Sequence, residues 1–128
     1  MSAAVTVTLA SEDALENTSP RQVRLLALAG ELDYTNAERF QHDLRNAIGS
    51  EECDLIVDLT ELSFCDSTGI RVFVAVRKLV NDRGGNIVLT NPHPRLERIF
   101  HLTGLAQAFA VQPTIADAVE ILRARQSS

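Results

Sequence analysis

Leu55-Ile56-Val57-Asp58-Leu59, the link Thr60 to Phe64, the loop Cys65-Asp66-Ser67-Thr68-Gly69 and the run Ile70 to Asp82 together decide the fold. The first five residues are short, branched and apolar, as a central strand requires. Beyond Gly69 the spacing becomes helical: Val72, Phe73, Val76, Leu79 and Val80 point one way, and Arg71, Lys78 and Asp82 the other. Gly84-Gly85 stops that helix. A buried strand feeding an amphipathic helix across a short polar loop is the repeating unit of a parallel α/β sheet.

The same alternation continues outward on both sides. Val5, Val7 and Leu9 alternate with polar residues, and Val23 to Ala29 is a denser apolar run; both are predicted strands, paired as a hairpin. Ala10 to Gln22 between them is polar, contains Asn17, Ser19 and Pro20, and reads as a long solvated connection. After Gly30-Glu31-Leu32-Asp33, Thr35 with Glu38 three residues on has the pattern of a reciprocal capping box. The helix it opens carries Ala37, Phe40, Leu44, Ala47 and Ile48 on one face and ends at Gly49. Asn86 to Thr90 is a further strand, which Asn91-Pro92-His93-Pro94 forbids to continue. A helix from about Arg95 to Leu102 follows, with Gly104 as its C-cap. A short strand around Phe109 to Val111 and a helix from about Ile115 to Arg125, capped by Thr114, complete the chain.

Length and composition bound the function. The 128 residues suit one domain, spanning 1–128, and folding at this size removes roughly two-thirds of the unfolded chain's surface from water. With 45% hydrophobic residues and 5% aromatics, the core must be built from Val, Leu, Ile and Ala. A net charge of −5 without clustered Lys and Arg argues against a nucleic-acid surface. No apolar run approaches the roughly 20 residues of a membrane span, and the N-terminus lacks a signal-peptide pattern, so a cytoplasmic location is expected. Cys53 and Cys65 share no metal-like spacing with the three histidines and read as buried thiols.

Ligand sites in such sheets gather on loops beyond the carboxyl ends of the strands. Two loops compete, Gly30 to Thr35 and Phe64 to Gly69. Asp66-Ser67-Thr68-Gly69 sits at a helix start, where unpaired N–H groups and the helix dipole suit an anion. On one reading Asp66 or Ser67 is simply the N-cap and Gly69 relieves crowding. On the other, Ser67 Oγ is a phosphoryl acceptor, and the added charge of about −1.5 to −2, sharpened by Asp66 and Asp33, alters partner binding. That device needs an exposed hydroxyl and an external kinase, and no base in this chain. Along the helix, Ile70 and Val74 lie beside Arg71 and Arg77 on a flank away from the Val72, Val76, Val80 centre. The flank is either partner surface or partly buried under a neighbouring loop.

At this point the chain resembles the STAS domains shared by sulfate transporters and anti-sigma factor antagonists. Leu28-Ala29-Gly30-Glu31-Leu32-Asp33 looks like the family's second-strand signature, and Val57-Asp58-Leu59 through Phe64-Cys65-Asp66-Ser67-Thr68-Gly69 looks like its phosphorylation segment. Asn86-Ile87-Val88-Leu89 and Arg98-Ile99-Phe100-His101-Leu102-Thr103-Gly104-Leu105 resemble the last strand and helix of stand-alone antagonists. The resemblance implies a STAS-type α/β fold, a mixed sheet of four to five strands with about four covering helices and a core at about 4–125. It further implies that the unphosphorylated protein binds an anti-sigma factor with serine kinase activity and so frees a sigma factor. The partner phosphorylates Ser67 with its own ATP, and a phosphoserine phosphatase restores the protein; no cofactor belongs to this chain. Asp33, Asp66, Thr68 and Gly69 are then the phosphosite surroundings, and Asp33, Thr35, Ser67, Ile70, Arg71 and Val74 the expected partner contacts. The Ala10 to Gln22 connection looks a few residues longer than in compact antagonists.

Three rivals carry less. A serine hydrolase needs Gly-x-Ser-x-Gly, and Cys65 replaces the first glycine. A phosphoaspartate receiver built on Asp58 or Asp66 wants a lysine beyond a late strand, whereas the only lysine, Lys78, lies within a helix. The third is a STAS scaffold within a larger stress-sensing complex, phosphorylated by a separate kinase.

Overall fold

The computed structural model describes residues 6–9, 23–49 and 53–126, so the Ala10 to Gln22 connection lies outside the described residues. Strand β1 (Thr6–Leu9) pairs antiparallel with β2 (Val23–Leu32), as the hairpin reading expects. Helix α1 (Ala37–Ile48) leads to β3 (Asp54–Cys65), and α2 (Ser67–Asp82) leads to β4 (Ile87–Thr90). Helix α3 (Pro94–Leu102), the single turn α4 (Leu105–Ala108), β5 (Ala110–Gln112) and α5 (Ile115–Gln126) follow. The strand order is β1-β2-β3-β4-β5, with β2 to β5 mutually parallel. The α/β expectation holds, with five strands and five helices among the described residues; the extra helix, α4, is too short to show a periodic pattern.

Alternation along the strands sorts the core onto the two faces of the sheet. Leu26, Leu28 and Leu32 of β2, Leu55, Val57 and Leu59 of β3 and Ile87 and Leu89 of β4 pack on one face with the buried stripes of α1, α2 and α3. Val23, Ile56 and Val88 point the opposite way, against Ala118 and Leu122 of α5. On the larger face each of three helices contributes one phenylalanine. Phe73 of α2 meets Phe40 of α1 and Phe100 of α3 edge-on, both at 6.1 Å between ring centroids.

Strand β3 is longer than the apolar run Leu55 to Leu59 predicts, because the pairing with β2 shifts twice. Ala27 faces Asp58 but Ala29 faces Glu61, and Gly30 faces Leu62 but Glu31 faces Phe64. Each shift inserts one extra residue in β3, so its inward side chains change from every second residue to Leu59, Leu62 and Cys65. Thr60 to Phe64 is therefore strand, and a period-two pattern cannot reveal it. Gly30 supplies the positive φ of 107° at the second shift, where its carbonyl accepts from Ser63 Oγ.

Other termini differ in detail. The Thr35 to Glu38 capping box does not form: α1 starts at Ala37 after Asn36, and the Thr35 hydroxyl donates to Asp33 instead. The C-cap of α3 is Thr103, with Gly104 one residue beyond in the left-handed region at φ 80°. The last strand runs Ala110–Gln112, one residue beyond the predicted Phe109 to Val111. Gly49 ends α1, and Thr114 Oγ1 caps α5 by accepting from Asp117 N at 3.1 Å, both as expected. No helix among the described residues is long and apolar enough to cross a membrane.

Candidate functional site

Leu32 and Cys65 are paired in register at the carboxyl ends of β2 and β3, so the two competing loops emerge side by side. They form one site. Asp66 N donates to Leu32 O at 3.1 Å, and the Asp66 carboxylate joins the loops a second time. Its Oδ1 accepts from Gly69 N at 3.0 Å, capping α2, while its Oδ2 accepts from Tyr34 N at 3.0 Å. Asp66 is therefore the N-cap, and Ser67 is the first helical residue.

Ser67 is exposed, and no hydrogen bond among the described residues engages its hydroxyl. Thr68 is half-buried and Gly69 buried. A Cβ at Gly69 would lie 2.6 Å from Leu32 Cγ and 2.7 Å from Cys65 Sγ, so only glycine lets α2 begin this close to the strand ends. Burial, with the Asp66 charge second, pushes the Cys65 thiol up to about 12. Cys65 is a neutral packing group at physiological pH, and Cys53 is buried as well.

The neighbouring loop is shaped by its own side chains. Asp33 Oδ1 accepts from Thr35 N at 2.9 Å and from the Thr35 hydroxyl. That hydroxyl holds the Asp33 carboxyl below its usual value against the opposing cost of desolvation, and the weaker Thr35 and Asn36 backbone bonds act in the same sense as the hydroxyl. Asn36 accepts from Asp33 N at 3.0 Å and donates to Glu31 O at 2.7 Å. The turn thus leaves Tyr34 pointing into solvent, 78% exposed.

The helix flank divides. Arg71 is exposed and Val74 is 48% exposed, on the same stripe of α2 as Ser67. Ile70 is half-buried and packs on the main core. Arg77 does not join that flank: its guanidinium lies 5.9 Å from the centroid of the Phe109 ring. The sequence reading missed Tyr34 in this neighbourhood, and it missed that Phe64, next to Cys65 on β3, is 38% exposed. Tyr34 had one signal, being the sole tyrosine and set among polar loop residues. Phe64 had none, since its outward direction follows from the second register shift.

The three histidines are exposed and spent elsewhere. His42 bonds Asn46, His93 Nδ1 accepts from Arg95 N at the start of α3, and His101 stands 4.0 Å from Glu97. None pairs with Ser67 among the described residues, so no nucleophile and base are assembled there. No group of three or more metal-ligating side chains occurs among the described residues.

The described residues thus form a mixed α/β sheet with an exposed serine hydroxyl on the first residue of a helix, over a packed floor. The chain belongs to the STAS domain family, whose sequence model matches residues 14–118. It is 37% identical to the anti-sigma-B factor antagonist of Bacillus subtilis over 93 residues, 73% of this chain and 82% of the relative. An anti-sigma factor antagonist from Mycobacterium paratuberculosis superposes with a TM-score of 0.73 at 25% identity, covering 96% of this chain and 99% of that one. A segment of the murine Slc26a9 anion transporter has the same fold, with a TM-score of 0.76 at 21% identity over 94% of this chain and 22% of the transporter. The fold is therefore shared by proteins of different function, and function resides in the site rather than in the fold.

Proposed function

We propose that the chain is an anti-sigma factor antagonist, active in the unphosphorylated form and switched off by phosphorylation of Ser67. The observation that carries this reading is the exposed, unengaged Ser67 hydroxyl on the first residue of α2, beside a cap supplied by Asp66. The names of the relatives support it. The partner is an anti-sigma factor with serine kinase activity, which contributes the ATP; a phosphoserine phosphatase reverses the reaction.

The geometry suits a switch that leaves the fold standing. Asp66 occupies the Gly69 N–H, while the N–H groups of Ser67 and Thr68 belong to the first turn, which has no intrahelical acceptors. A phosphate on Ser67 meets those groups and the positive end of the helix dipole. Its charge of about −1.5 to −2 is added beside Asp66, on the surface offered to the partner. Asp33, Thr35, Ser67, Arg71 and Val74 form that surface, with Ile70 beneath it.

Affinity capture from a lysate of the source organism, with wild-type, Ser67→Ala and Ser67→Glu baits, tests partner and switch together. A small ATP-binding anti-sigma factor is expected on the first two baits and not on Ser67→Glu. Identical partners on all three would reduce Ser67 to an exposed helix residue. Recovery of a very large particle without an anti-sigma factor would replace the antagonist with a scaffold.

A further inference from the structure

We infer that Asp66 is a positioning residue that presents Tyr34 to the anti-sigma factor, making Tyr34 an anchor of the same surface as Ser67; this rests on the function proposed above. An N-cap needs one acceptor oxygen, which Asn, Ser or Thr would also supply. Asp66 uses both of its oxygens, and the second reaches a residue 32 positions earlier, on a different loop.

The hydrogen bonds within the Asp33 to Asn36 turn give it its shape. They do not fix where the turn stands relative to α2. The Tyr34 N–H bond to Asp66 does so, within one residue of the serine. A carboxylate accepting two N–H groups is a strong and directional tie, because the acceptor is charged.

The ring held in this way faces water. Of the four large apolar side chains exposed among the described residues, Tyr34 lies on the loop that Asp66 ties to the start of α2 and Val74 on the same stripe of α2 as Ser67; Phe64 alternates with the inward Cys65 on β3, and Leu102 lies at the far end of α3. A tyrosine held outward on an ordered loop offers contact area at little entropic cost, the usual character of a binding hot spot. A kinase that reaches Ser67 Oγ must cover this neighbourhood, so the ring and the hydroxyl are read by one partner.

The test is a double-mutant cycle with the purified anti-sigma factor recovered by capture. Asp66→Asn keeps one oxygen for the Gly69 N–H and places an NH₂ group against the Tyr34 N–H, donor facing donor. Asp66→Asn and Tyr34→Ala are each expected to weaken binding about tenfold, with the double variant no weaker than either single. Amide exchange at Tyr34 should accelerate in Asp66→Asn while Val76 and Val80 in α2 keep their protection. An additive loss of about a hundredfold in the double variant would show that Asp66 acts independently of Tyr34, and unchanged binding by Asp66→Asn would make Asp66 a helix cap only; either result overturns the inference. Wild-type affinity in Tyr34→Ala overturns the inference by itself, and that variant alters only an exposed loop ring. A wild-type protein that captures no anti-sigma factor removes the functional reading first, before any variant is compared, and the inference with it.

Discussion

Gly69 stands directly over Cys65: a Cβ added to the glycine would come within 2.7 Å of the cysteine sulfur and within 2.6 Å of Leu32 Cγ. The start of α2 thus rests on the paired ends of β2 and β3 with no room for a methyl group, and this seat sets the height at which Ser67 is presented. Gly69→Ala must push the helix off its seat, at a cost of about 1–3 kcal/mol. An unchanged urea midpoint for this variant would show that the contact relaxes freely.

The cap and the switch are separate residues, so their alanine variants should separate too. Asp66→Ala loses the Gly69 and Tyr34 bonds and is expected to cost about 1–2 kcal/mol. Ser67→Ala removes an exposed hydroxyl with no partner among the described residues and should stay within about 0.5 kcal/mol of wild type. Chemical denaturation of the two variants decides it; the reverse order would assign the cap to Ser67.

Phe73 joins the three helices of the larger face through Phe40 and Phe100. Phe73→Ala should therefore cost about 3–5 kcal/mol, near the top of the range for a single core truncation. Loss of less than about 1 kcal/mol in calorimetry would mean that the face repacks around the gap.

Cys65 couples stability to alkaline pH. The folded chain keeps the Cys65 proton up to about pH 12, whereas an unperturbed thiol releases it near 9.0. Between these values the unfolded state loses a proton that the folded state retains. The contribution is thus complete below about 9.0 and is lost as pH rises through the window. Cys65→Ala should flatten the decline of the urea midpoint above that pH relative to wild type. In the native protein a thiol reagent at mildly alkaline pH should label Cys65 only on unfolding. Rapid native labelling would contradict the buried, neutral thiol.

Much of the fold is legible in short windows of sequence. Ala37, Phe40, Leu44 and Ile48 lie inward on α1, and Val72, Phe73, Val76 and Val80 lie inward on α2, where helical spacing puts them. Thr114 and Gly49 act at their own helix ends, because the groups they serve are within a few residues. The Thr35 to Glu38 pattern misleads for a physical reason. Asp33, two residues earlier, offers the Thr35 hydroxyl a charged acceptor, and the helix start moves to Asn36.

By itself the sequence determined the alternation of strands and helices, the inward faces of α1 and α2 and the place of Ser67 at a strand-to-helix junction. All of these rest on interactions between residues close along the chain. The tertiary structure alone decided that β3 continues through two register shifts to Cys65, that Tyr34 stands outward beside the start of α2 and Phe64 outward on β3, and that Arg77 leaves the flank for Phe109. It alone joined the two loops through Asp66, since a bond between residues 32 positions apart exists only once β2 and β3 are paired and their register is set.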